Sequence, residues 1–272
     1  MIQSSQIPLK RPRRDFGKPR GFTLPELIAA VSIVLVVILV VIPGIQSVRQ
    51  AAWKAVSIHS LRSLSIMGGA YRAENNQEFW KYRQVTPDGV LWWFGLEPRS
   101  SIGRPEGERF LDLEKGPLGP YAIAAGGWKS DPAFLAAGRR LKQKFRNGIY
   151  GYGYNTHLGG GPTGGGAVLR STSFNRPSEI IVFATAGQVN TFQAPASSRN
   201  PMLEDIQLVN SFETTFHFRH GGKALAVMMD GSMREFEMAP GTKDLRLPSA
   251  NVGRITPRGS TRHFLEELDP SE

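Results

Sequence analysis

Apolar positions are distributed along this chain in two different ways. From Phe22 to Ile45 they are nearly continuous, and Glu26 is the only charged residue in that stretch. Crossing a bilayer as a helix takes roughly 20 mainly apolar residues, and a helix apolar on every face is unusual on the surface of a soluble domain. Residues 22–45 therefore predict a transmembrane helix. Past it the pattern becomes periodic. Ile45, Val48, Ala52, Val56, Leu61, Leu64 and Ala70 fall near one helix face, with Arg49, Lys54 and Arg62 between them. Residues 46–79 are thus expected to continue the helix with an amphipathic half. Gly68-Gly69 should weaken it, and Glu74-Asn75-Asn76-Gln77 should end it. Pro43, inside the predicted helix and followed by Gly44, deletes a backbone hydrogen bond and predicts a kink or local unwinding.

Residues 80–240 read as a β-rich globular domain. Its first part is rich in Pro and Gly, with Trp80, Trp92, Trp93 and Trp128 expected as loop anchors packing on a sheet. Asp131–Phe145 predicts a short helix with Asp131 as N-cap and Pro132 in its first position. Its basic end reads as a solvated face. Gly148–Tyr154 alternates glycine with aromatics, as in a strand with close backbone contacts. Glu179–Thr185 predicts a buried strand, and Ser211–Phe218 a half-buried one. Asp230-Gly231 between Lys223–Met229 and Ser232–Met238 is the clearest hairpin signal. Residues 241–272 form a polar tail expected to be poorly ordered, apart from a short helix over His263–Leu268. The predicted fold class is α+β: a long N-terminal helix, its second half laid on a C-terminal antiparallel sheet.

Charge adds direction. The net charge is +10, and residues 1–21 hold six basic residues against Asp15. A basic segment next to an apolar span is retained in the cytoplasm, so everything after Ile45 is expected outside it. A cleaved secretory signal has a shorter apolar region and a small-x-small cleavage site, which Val41–Ser47 does not supply. Beyond residue 21 there is no basic helical stripe and no zinc-finger or RNA-binding signature, so no nucleic-acid partner is expected. The chain has no cysteine, which excludes thiol catalysis, disulfides and thiolate metal sites.

At the junction the chain reads Arg20-Gly21-Phe22-Thr23-Leu24-Pro25-Glu26-Leu27. With the basic leader and the aliphatic run behind it, this resembles the type IV prepilin signal of pilins and type II secretion pseudopilins. The resemblance implies cleavage between Gly21 and Phe22 by a prepilin peptidase, and N-methylation of Phe22. It also implies assembly with other copies or related subunits into a pilus or secretion-type fibre, driven by inner-membrane machinery. Pilins often carry a proline at about the depth of Pro43. The residues argue similarly for Glu26. A carboxylate at the edge of hydrocarbon needs a partner, and the Phe22 amine of a neighbouring subunit can supply one.

A second resemblance lies further on. Tyr150–Asn155, Arg176–Phe183 and Phe218–Met233 are similar to the C-terminal domains of prepilin-like proteins abundant in planctomycetes and verrucomicrobia. Those proteins often have an Asn and a His where this chain has Leu225 and Ser232.

No enzyme chemistry stands out. Arg219, His220 and Asp230 invite a catalytic or metal reading, but His217 and His220 would point to opposite faces of a strand, and Asp230 already serves the hairpin. Glu204-Asp205 falls short of a calcium shell. Gly159–Gly166 lacks the Lys-Ser/Thr ending of a phosphate loop, and His59 reads as a packing residue. No cofactor or metal is expected. The alternative to a structural subunit is a membrane-tethered extracytoplasmic enzyme or carbohydrate-binding module that uses the helix only as an anchor.

Overall fold

The structure, a computed structural model, describes residues 21–266. In chain order its helices are α1 (Leu24–Glu74) and the one-turn α2 (Pro132–Leu135). Its strands are β1 (Arg83–Thr86), β2 (Gly89–Trp92), β3 (Gly95–Pro98), β4 (Leu141–Lys142), β5 (Tyr152–Asn155), β6 (Ile181–Thr185), β7 (Gln188–Asn190), β8 (Met202–Glu204), β9 (Leu208–Val209), β10 (Phe216–His217), β11 (Ala224–Met228), β12 (Met233–Phe236) and β13 (Val252–Gly253). The chain divides into two compact units at Val48/Arg49. It is an α+β protein.

The first unit contains the N-terminal part of α1. Its aliphatic side chains are exposed, and α1 is long and apolar enough to cross a membrane. Helical backbone continues through residues 43 and 44, so the predicted local unwinding does not occur. A proline costs one intrahelical hydrogen bond, and the turns on either side remain closed.

The second unit is built around a five-stranded sheet in the order β12-β11-β6-β5-β9. Its pairs are antiparallel except β5–β9, which is parallel. Three smaller sheets accompany it among the described residues: β1-β2-β3, β4-β8-β7 and β10-β13, with β4–β8 also parallel. A single antiparallel sheet was too simple an expectation, because two short strands return alongside their partners instead of folding back as hairpins. Every residue of β6 and β11 is buried, as a central strand covered on both faces requires.

The second half of α1 packs on this core through a face that shares Leu61 and Leu64 with the predicted one and is otherwise lined mostly by small residues. Ser57, Ser60, Leu61, Leu64, Met67 and Gly68 are buried, at helical i, i+3, i+4 spacing, while Ile45, Val48 and Val56 are exposed. The small serines allow close approach: Ser60 returns its hydroxyl to the Val56 carbonyl, while the Ser57 hydroxyl, 3.0 Å from the Trp53 carbonyl, has a shorter acceptor at 2.7 Å in Asp131. Hydrophobic spacing therefore marks only the Leu61–Leu64 part of the face. Gly68 leaves room for Trp80, whose ring would lie 2.6 Å from an added Cβ. Trp80 in turn stacks on Tyr154 and Phe183 at centroid distances of 4.9 and 5.8 Å. The helix ends at Glu74, where Asn76 and Gln77 turn into left-handed backbone.

Several expectations change in detail. The helix over Asp131–Phe145 is a single turn, after which the chain enters β4. Ser211–Thr214 is bend and loop, so the strand shrinks to Phe216–His217, buried on both sides. The polar tail is packed as far as it is described. Val252 and Phe264 are buried, β13 pairs with β10, and the Asn155 side-chain amide donates to the Phe264 carbonyl at 2.9 Å. Its few apolar residues are spaced to reach the sheet, which its overall polarity conceals. In place of the short helix expected over His263–Leu268 there is a turn at residues 262–264, and Leu268 lies outside the described residues.

Candidate functional site

Two constellations are candidates, one in each unit. In the first, Thr23 precedes α1 and Glu26 occupies its third helical position. Glu26 Oε2 accepts from the Thr23 backbone N–H at 2.9 Å and from the Thr23 hydroxyl at 2.7 Å. This is the reach-back half of a capping box, which satisfies a donor that the helix itself leaves open. The sequence signal for it is the spacing Thr23-x-x-Glu26. Phe22 and Gly21 precede the cap in exposed, irregular chain, with Phe22 85% exposed. Of the predicted leader, residues 1–21, all but Gly21 lie outside the described residues. The arrangement holds a carboxylate at the head of an apolar helix, where the macrodipole favours negative charge. It also leaves the Gly21-Phe22 bond accessible.

The second constellation is a buried polar hub centred on Asp131. Asp131 Oδ1 caps α2, accepting from the backbone N–H groups of Ala133 at 2.8 Å and Phe134 at 3.1 Å. Oδ2 accepts from the Ser57 hydroxyl of α1 at 2.7 Å, and from Arg219 Nε at 3.0 Å and Nη2 at 2.7 Å. His220 Nε2 lies 3.4 Å from the same oxygen. Burial opposes the charge on Asp131, but Arg219 and the hydrogen bonds from His220, Arg219 and Ser57 outweigh it and hold the carboxyl well below the usual range. Arg219 also donates to the carbonyls of Gly151 and Ala186 and to His217 Nδ1. With these, all five of its N–H groups are engaged. Because a guanidinium only donates, His217 Nδ1 must accept, which places the ring proton of neutral His217 on Nε2. Burial first, then the Arg219 charge, push the His217 pKa well below its ordinary value.

Asp230 takes the hairpin role expected of it and makes no hydrogen bond with Arg219 or His220 among the described residues. Asp230 Oδ1 accepts from the Ser232 N–H and hydroxyl in the β11–β12 turn. The true acid is Asp131, far away in the chain, identified in the sequence only as an N-cap. His217 and His220 both reach the hub, because β10 ends at His217 and strand alternation does not extend to His220. No single-sequence signal pairs Ser57 with Asp131. The hub fastens α1, α2 and the β10–β11 connection together, and Arg219 has no donor left for a ligand. Beside it opens a cavity of about 520 Å³, with Ala133, Ala137, Leu203 and Ala250 on its walls and Arg140 among its polar groups.

Glu204 and Asp205 are both buried, and each is already engaged. Glu204 pairs with buried Lys142, which also meets Glu106, and accepts from Asn190 Nδ2 at 2.9 Å. Asp205 accepts from the Lys144 N–H at 2.7 Å and from Gln207 Nε2 at 2.8 Å. Lys142 thus points inward, so part of the basic run expected to be solvated is buried. Burial raises the Asp205 carboxyl to about 6, despite the opposing hydrogen bonds. No family model, curated protein or solved structure matches the chain.

Proposed function

We propose that this chain is a structural subunit of the pilin or pseudopilin kind, anchored by α1 in the inner membrane as a single-pass protein. The leader faces the cytoplasm and the second unit lies outside it. A prepilin peptidase cuts after Gly21 and the new Phe22 amine is methylated. Mature subunits then associate through their N-terminal helices, moved by the inner-membrane assembly machinery. The role is architectural rather than catalytic. Pro43 lies within the assembling segment.

One observation carries this reading. An acid sits five residues into the mature chain, at the head of an otherwise uncharged aliphatic helix, immediately after a basic leader and a Gly-Phe bond. The capping geometry supports it, because Thr23 occupies only Oε2 of Glu26 among the described residues, and Oε1 can meet a neighbour's amine. Within the second unit, the second half of α1 is fastened to the sheet domain through Ser57 and Asp131. Expression with a prepilin peptidase and assembly machinery tests the proposal. Wild-type chain should appear in the sheared-fibre fraction, and Glu26→Ala should be processed but lost from fibres. Equal recovery of the two would contradict it.

A further inference from the structure

Arg49 follows Ile45 by four residues along α1, and Trp53 follows Arg49 by four more. That spacing stacks the two side chains on one helix face. The Arg49 guanidinium lies over the Trp53 ring, 4.6 Å from its centroid. Arg49 is exposed and Trp53 partly so. Neighbouring Lys54 is committed to Glu235 at 2.5 Å, whereas Arg49 meets no carboxylate among the described residues. An aromatic face takes the face of a guanidinium and leaves its in-plane N–H groups directed outward. Those groups match two oxygens of a phosphate.

Position decides what phosphate this is. At 1.5 Å per residue, Arg49 lies about 6 Å and Trp53 about 12 Å past Ile45 along the helix. The polar layer on each side of the hydrocarbon is roughly 5–8 Å deep, so the Arg49 backbone falls within it and the Trp53 backbone just beyond; helical side chains lean toward the N-terminus, which carries the Trp53 ring back to the headgroups. Trp at such a boundary places its ring at headgroup level.

We infer that Arg49 and Trp53 form a headgroup-binding pair for anionic phospholipid in the leaflet where α1 leaves the bilayer. Trp53 sits among the headgroups and orients the guanidinium, and Arg49 grips the phosphate. The pair fixes how deep the helix rests before assembly. This rests on α1 spanning the membrane.

The test uses the full chain reconstituted in phosphatidylcholine vesicles, with or without phosphatidylglycerol, and with lipids brominated near the headgroup as quenchers. Subtracting the emission of Trp53→Phe isolates Trp53 from the other tryptophans. Trp53 emission is expected to be quenched, more strongly with phosphatidylglycerol, and Arg49→Gln should abolish that lipid dependence. Floating vesicles that carry the chain while Trp53 stays unquenched would overturn the pair and leave the span intact. Equal quenching in both lipids would also overturn it. Failure of the chain to float with vesicles would overturn span and pair together.

Discussion

At the scale of single residues, charge placement inside the second unit is what the structure resolves most sharply. Asp131 is completely buried and answers a buried guanidinium. Removing one member of a buried, hydrogen-bonded ion pair typically costs about 3–5 kcal/mol, because the other charge is left uncompensated. Asp131→Ala should therefore lower the unfolding free energy by about that amount in urea titrations. Ser57→Ala, which deletes one hydrogen bond to the same oxygen, should cost about 1–2 kcal/mol. Asp205 behaves in the opposite sense. Its folded-state pKa is raised to about 6 by burial, so it binds a proton more tightly folded than unfolded. Its contribution is fully present below the unfolded carboxyl pKa, near 4, and is lost as pH rises through about 6. Measured from pH 4 to 7, wild type should lose on the order of 3 kcal/mol relative to Asp205→Asn. A constant difference across that range would contradict the burial argument.

At the scale of elements, two adjacent glycines in α1 should respond in opposite directions. Gly68→Ala brings a Cβ to 2.6 Å from a Trp80 ring held by Tyr154 and Phe183. Overpacking of this kind costs about 1–3 kcal/mol. Gly69 has open space around it, so Gly69→Ala should gain up to about 1 kcal/mol from helix propensity. Thermal unfolding of the two variants checks both signs. The same pair shows how far the elements were legible. The apolar run, the helix end at Glu74, the buried strand through Phe183 and the Asp230-Gly231 hairpin all follow from local periodicity and turn chemistry. The packing face of α1 follows only at Leu61 and Leu64, because serines and a glycine fit there against Trp80 and Asp131 without being hydrophobic. The parallel pairs and the hub depend on residues far apart in the chain, which no local pattern records. The half capping box is legible as Thr23-x-x-Glu26, because its two partners lie within one helical turn.

At the scale of the whole molecule, a basic leader, an apolar helix and a separate compact unit form one sequence of parts. In the proposed reading, the leader and the exposed Gly21-Phe22 bond serve processing, the first unit serves the membrane and assembly, and the second is what the fibre displays. The central claim is that the chain matures at a single bond, exposing a Phe22 amine that a neighbour's Glu26 can answer. Intact-mass and N-terminal peptide spectrometry of the protein recovered from cells with a prepilin peptidase tests this most directly. The account predicts a mature chain beginning at Phe22 and heavier by one methyl group. A chain that retains residues 1–21, or one that has lost the whole segment through Ile45, would contradict it.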